Sequence, residues 1–133
     1  MLELINIKKN YRKKQAVDGI SLTLEQGDVL GLLGANGAGK STTISMIATL
    51  VKPDQGDILY EGKSIVKYPK TIREKLGYVP QEIALYESLS GRDNLKFWGR
   101  TYGLHGERLK REIERVARIV DLSEERLRQK VGT

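Results

Sequence analysis

Gly34-Ala35-Asn36-Gly37-Ala38-Gly39-Lys40-Ser41-Thr42 sets three glycines, a lysine and two hydroxyls at a spacing suited to binding an anion. Glycine at 34, 37 and 39 lets successive backbone N–H groups turn inward around an anion with no Cβ in the way. The backbones of Asn36 and Ala38 belong to the same turn. The residues that follow open a helical pattern, whose first turn adds unpaired N–H groups and a positive dipole end. Lys40 then offers an ammonium to the β- and γ-phosphates, and the Ser41 hydroxyl offers a ligand to the Mg²⁺ that accompanies them. The spacing G-x-x-x-x-G-K-[ST] predicts a cradle for the phosphates of a nucleoside triphosphate.

Such a loop works only if a strand and a helix hold its two ends. Val29-Leu30-Gly31-Leu32-Leu33 is an apolar run that predicts a buried strand before it. Ser41–Leu50 predicts a half-buried helix after it, with Ile44, Ile47, Ala48 and Leu50 as its apolar positions. Ahead of these, Leu2–Ile7 alternates with Leu2, Leu4 and Asn6 on one side, a half-exposed strand. Asp18-Gly19 predicts a turn, and Ile20–Glu25 a further alternating strand. Asp57–Tyr60 predicts a short strand, Pro69–Lys75 a short helix with Pro near its start, and Gly77-Tyr78-Val79 a buried strand. Beyond Gln81 the pattern is helical: Arg92–Tyr102, then Glu107–Val120. The latter has Leu109, Ile113, Val116 and Val120 on one face, with Glu107/Arg111 and Glu114/Arg118 four apart on the surface. Ser123 is an N-cap for one more short helix.

The 133 residues suit one domain with a core, and 39% hydrophobic with 30% charged residues is ordinary for a soluble protein. No run approaches the roughly eighteen apolar residues of a membrane span, and the first residues lack the basic and apolar segments of a secretory leader. Without cysteine there is neither a disulfide framework nor a thiolate metal site. A cytosolic chain is expected. The net charge of +6 is concentrated at Lys8, Lys9, Arg12, Lys13 and Lys14. These residues suit a nucleic-acid or anionic-lipid patch, or a solvated turn whose charges keep an edge strand from pairing. The solvated turn is the favoured reading, and no nucleic-acid partner is expected.

The motifs together resemble the ATPase subunits of ABC (ATP-binding cassette) transporters, along all 133 residues and in the family's order. Gly34–Thr42 is similar to the Walker A loop. Tyr11, ahead of Ala16-Val17-Asp18-Gly19-Ile20-Ser21-Leu22, sits where the family places an aromatic that stacks on adenine, and Val17 adds an apolar contact to the base. Leu76-Gly77-Tyr78-Val79-Pro80-Gln81 resembles the strand into the Q-loop, so Gln81 is expected to touch Mg²⁺ and the attacking water. Ser41-Thr42-Thr43 and Leu89–Leu95 resemble exporter cassettes of the ABC-2 kind. Leu89-Ser90-Gly91-Arg92-Asp93 differs from the LSGGQ signature: it lies eight residues past Gln81, lacks the second glycine and opens a helix.

The resemblance implies an α/β fold of the P-loop NTPase type, with an antiparallel β subdomain and a helical subdomain, incomplete in this chain. Residues 1–81 would form the β-rich and P-loop core, and 82–133 the Q-loop and helical part. It implies ATP and Mg²⁺ as cofactors, with Lys40 and Gln81 catalytic and Ser41 and Gln81 on the metal. It also implies a membrane permease and a second cassette as partners, on the cytoplasmic face. A soluble ABC ATPase with no transport role is the alternative. No apolar run followed by Asp-Glu occurs in the sequence, so the Walker B aspartate and the water-polarising glutamate are missing, as are the signature and the switch histidine. These residues alone are expected to bind ATP without hydrolysing it. With the intervening parallel strands also missing, edges and apolar faces would lie open to aggregation or swapping.

Overall fold

The structure, a computed structural model, describes residues 1–12, 14–82 and 84–132; Lys13, Ile83 and Thr133 lie outside the described residues. The chain divides into two compact units, Met1–Tyr78 and Val79–Thr133.

The first unit is built on a four-stranded antiparallel sheet in the order β2-β1-β3-β4. Its strands are β1 (Leu2–Tyr11), β2 (Lys14–Leu24), β3 (Gln55–Tyr60) and β4 (Lys63–Ser64). β1 runs down the middle, pairing Leu4 with Leu22 on one side and with Ile58 on the other. Its alternation slips once. Asn6 has a positive φ of 46° and is exposed, so Ile7, and not Asn6, takes the next core position after Leu4. This is a bulge: the ladder shifts register here against both neighbours, and the Asn6 N–H donates to Ser21 Oγ (2.8 Å) in place of a ladder bond.

Asp18-Gly19 makes a second bulge where the sequence predicts a turn. Ile7 faces Ile20 and Lys9 faces Val17, so β2 spends one residue more than β1 over this stretch. Gly19 absorbs it at φ 70°, and β2 continues back to Lys14, which stands opposite Tyr11.

The helices α1 (Lys40–Ile47) and α2 (Lys70–Arg73) close the core of this unit. Met46 and Ile72 pack with Leu4, Ile7, Val17, Ile58 and Ile65, all nearly inaccessible to solvent. α1 buries Thr43 and Met46; of the predicted apolar positions, Ala48 is buried and Ile47 packs against the core, while Ile44 and Leu50 are exposed. The helix is only two turns long and ends at Ala48, so the predicted run to Leu50 does not stay helical.

Two predicted strands do not form. Residues 29–33 and 77–79 have no regular secondary structure, and Val29, Leu33 and Val79 are more than nine-tenths exposed. A strand is defined by its ladder, and the four strands of this sheet pair only with one another. An apolar run without a neighbour to accept its N–H groups has no reason to be extended and flat.

The second unit is helical: α3 (Gly91–Thr101), α4 (Gly106–Ile119) and α5 (Glu124–Arg128). Ser90 caps α3, accepting from the Asp93 N–H (3.1 Å) and donating to its carboxylate (2.7 Å). Ser123 caps α5 as predicted. On α4 the buried face is Leu109, Ile113 and Ala117, while Val120 is two-thirds exposed. The surface charges also pair differently: Arg115 bridges Glu112 (2.7 Å), and Arg118 donates to the Glu114 backbone carbonyl. Phe97 stands edge-on to both Tyr86 and Trp98, so these aromatics serve packing. Residues 129–132 return beside 87–91 through Gly91 N–H to Gln129 O and Val131 N–H to Leu89 O (both 3.1 Å).

Candidate functional site

The 34–42 loop leads into α1, and its geometry is that of an anion cradle. The amides of Gly37, Gly39, Lys40, Ser41 and Thr42 make no hydrogen bond among the described residues, whereas the Ala38 N–H turns back on Ala35 O (3.1 Å). Unpaired amides at a helix start, with the dipole behind them, are ready donors for phosphate oxygens. Lys40 Nζ crosses the loop and donates to the carbonyls of Gly34 (2.7 Å) and Ala35 (2.8 Å). The ammonium therefore ties the start of the loop to its helix end.

The exposed Ser41 hydroxyl has no partner among the described residues. It is a hard oxygen donor next to the cradle, of the type Mg²⁺ takes. Thr43, two residues on, is buried and bonds back to Gly39 O (3.0 Å), so it holds the loop and does not face a ligand. Among the described residues no three acidic, His or Cys side chains converge on a metal-sized site.

β2 is the floor of the loop. Gly39, at φ 86°, lies so close to it that a Cβ would stand 2.2 Å from Ala16 O and 3.2 Å from Val17 Cγ2. Val17 is 3% exposed and belongs to the core. Its side chain supports the loop from below, beside Gly39. Tyr11 is about half exposed on the neighbouring strand, and Lys9 Nζ lies 5.6 Å from its ring centroid. Asp54 anchors this end of the hairpin, accepting from Lys9 Nζ (2.8 Å) and from the Asn10 N–H (2.7 Å). Those two donors hold its carboxyl below the ordinary carboxylate range.

Lys14 was not among the expected site residues. Its Nζ lies 3.3 Å from the point where a Cβ on Gly37 would stand. Lys14 is not visible as a site residue from its neighbours in sequence, because the contact depends on β2 lying under Gly39. Gln81 belongs to the second unit, exposed and outside regular structure.

Residues 17–133 match the protein family described as ABC transporter. The chain belongs to the ABC transporter family. It is 53% identical over 134 residues to the linearmycin resistance ATP-binding protein LnrL of Bacillus subtilis (strain 168), covering 100% of this chain and 42% of LnrL. It is 39% identical to the daunorubicin/doxorubicin resistance ATP-binding protein DrrA of Streptomyces peucetius, covering 90% of this chain and 36% of DrrA. In three dimensions it is similar to the dimeric ATP-binding cassette MJ0796 in a post-hydrolysis state bound to ADP and Pi. That match has a TM-score of 0.80 at 26% identity, over 98% of this chain and 61% of the other. The fold is thus that of an ABC ATPase cassette, in part: the chain spans less than half the length of these curated relatives. Among the described residues no helix is long and apolar enough to cross a membrane.

Proposed function

We propose that this chain carries the ATP-binding loop of an ABC transporter's energy-coupling subunit, and that the 34–42 cradle holds Mg-ATP. The observation that carries the reading is the set of unpaired amides at 37 and 39–42, with Lys40 braced across them. The amides and Lys40 take the phosphate oxygens and stabilise the charge that builds on them during phosphoryl transfer. Ser41 would hold the Mg²⁺ that accompanies the nucleotide, and the ion would supply further neutralisation of phosphate charge; Gln81 is the second residue proposed for it and for the attacking water. Tyr11 carries the base.

Binding and hydrolysis in the complete protein then drive a membrane permease at the cytoplasmic face, with a second cassette as dimer partner. The direction is export, which the names of LnrL and DrrA as resistance proteins support. These 133 residues contain no apolar run ending in Asp-Glu, hence no carboxylate suited to orient water, and by themselves they bind ATP without turning it over.

The test compares the chain with Lys40→Ala for labelled ATP binding and phosphate release. Loss of the ammonium should weaken binding by about 1.5–3 kcal/mol, the range of a charge-assisted hydrogen bond. Equal affinity would refute the cradle. Phosphate release by the 133-residue chain that Lys40→Ala abolishes would refute the absence of turnover.

A further inference from the structure

Of the basic residues near the hairpin end, Lys8 and Lys9 are committed to carboxylates, at 3.1 Å from Asp18 and 2.8 Å from Asp54. Lys14 is not. Among the described residues its side chain makes no hydrogen bond or ion pair, yet its ammonium stands beside Gly37, in the middle of the loop whose amides are unpaired. A cation held against an anion cradle without a counter-ion raises the local potential where a phosphate would sit.

We infer that Lys14 is a second phosphate-facing cation, pairing with the nucleotide's phosphate oxygens from β2 while Lys40 does so from α1. This rests on the reading of the 34–42 loop as the ATP site. It changes the character of that site. The hairpin that carries Tyr11 reads the base at one position and the phosphate charge three residues later, so nucleotide binding ties β2 and the loop together. The contribution scales with ligand charge: greatest for a triphosphate, smaller for a diphosphate and nil for a nucleoside. It weakens with salt, because Lys14 is exposed.

The experiment measures binding of ATP, ADP and adenosine, at low and high salt, to the full chain and its Lys14→Gln, Lys14→Arg and Lys40→Ala variants. Lys14→Gln should weaken ATP about three- to tenfold at low salt, within the range of exposed to charge-assisted pairs. It should weaken ADP less and adenosine not at all, and Lys14→Arg should retain most of the affinity. Unchanged ATP affinity in Lys14→Gln, while Lys40→Ala still loses it, overturns the role of Lys14 and leaves the loop reading intact. Equal weakening of ATP and adenosine also overturns it, since the hairpin and not the charge would then be at fault. Binding that ignores Lys40→Ala overturns the loop reading itself, and the role of Lys14 with it. An unchanged thermal midpoint in Lys14→Gln shows that the hairpin still folds.

Discussion

Gly39 lies against Ala16 so closely that any side chain at 39 would strike the Ala16 carbonyl, 2.2 Å from a Cβ. The phosphate loop is thereby fixed to β2 by backbone, with no side chain between them. Gly39→Ala meets that contact and a left-handed backbone at φ 86° together. The strained conformation alone costs about 1–3 kcal/mol, and the clash adds to it by pushing the loop off β2. ATP affinity should fall at least about fivefold, with the far-UV circular dichroism of the sheet retained. Unimpaired ATP binding by Gly39→Ala would show that the loop is not held this way.

Tyr11 should act through its ring and not its hydroxyl. The Lys9 ammonium lies near the ring, and stacking needs only a free π face, which any base can meet. Tyr11→Phe is expected to bind ATP as the parent does, and Tyr11→Ala to lose about 1–3 kcal/mol. GTP should compete within about tenfold, or 1.4 kcal/mol. Strong rejection of GTP in the competition assay would reveal polar readout of the base edge.

What could be read in the sequence was what depends on neighbours along the chain. The loop spacing, the alternation of Leu2 and Leu4, and the helix caps are local, and a cap such as Ser123 is set by the amide three residues on. What could not be read depends on partners far away. Val29–Leu33 is apolar in the same way whether or not a ladder awaits it, and here it is exposed. Asp18-Gly19 has one composition for a turn and for a bulge; the choice falls to the register of Ile7 on Ile20. Val17 is expected from the sequence to add an apolar contact to the base, and only the approach of Gly39 shows it packed beneath the loop. The same approach brings Lys14 over Gly37.

The Lys9–Asp54 clamp should give stability a specific pH dependence. Asp54's carboxyl is held low by Lys9 and by the Asn10 N–H. A depressed folded pKa means stability that is fully present above the unfolded value and lost as pH falls through the folded one. Asp54→Asn should therefore be less stable than the parent at pH 7, with the gap closing as the solution is acidified below the ordinary carboxylate range. Asp54 is 39% exposed, so added salt should also narrow the gap. Urea midpoints of the two proteins across pH give the comparison. A gap that stays constant from neutral to acid would assign the clamp no electrostatic role.

Asn94 is the most consequential polar side chain of the helical unit. It is 2% exposed and makes three hydrogen bonds: Nδ2 donates to Tyr86 O (3.0 Å) and Ser90 O (3.1 Å), and Oδ1 accepts from the Tyr86 N–H (2.8 Å). It thus replaces a strand partner for Tyr86, holding that backbone against α3. Asn94→Ala leaves the Tyr86 N–H without its partner, at about 1–3 kcal/mol for an unsatisfied group, while the Tyr86 carbonyl keeps the Leu89 N–H (3.0 Å). Asn94→Asp keeps the shape and the acceptor but turns the donor into a carboxylate oxygen facing two carbonyls. The charged form is disfavoured there, so the new carboxyl's folded pKa is raised. By linkage the variant gains stability as pH falls through that raised value, because the protonated acid can again donate one bond. Asn94→Asp should be as destabilised as Asn94→Ala at pH 7 and recover in part on acidification, while Asn94→Ala shows no such recovery. Urea unfolding of both variants at neutral and mildly acidic pH decides it: parallel pH profiles would mean that the amide's donor role at Tyr86 and Ser90 is not what holds this segment.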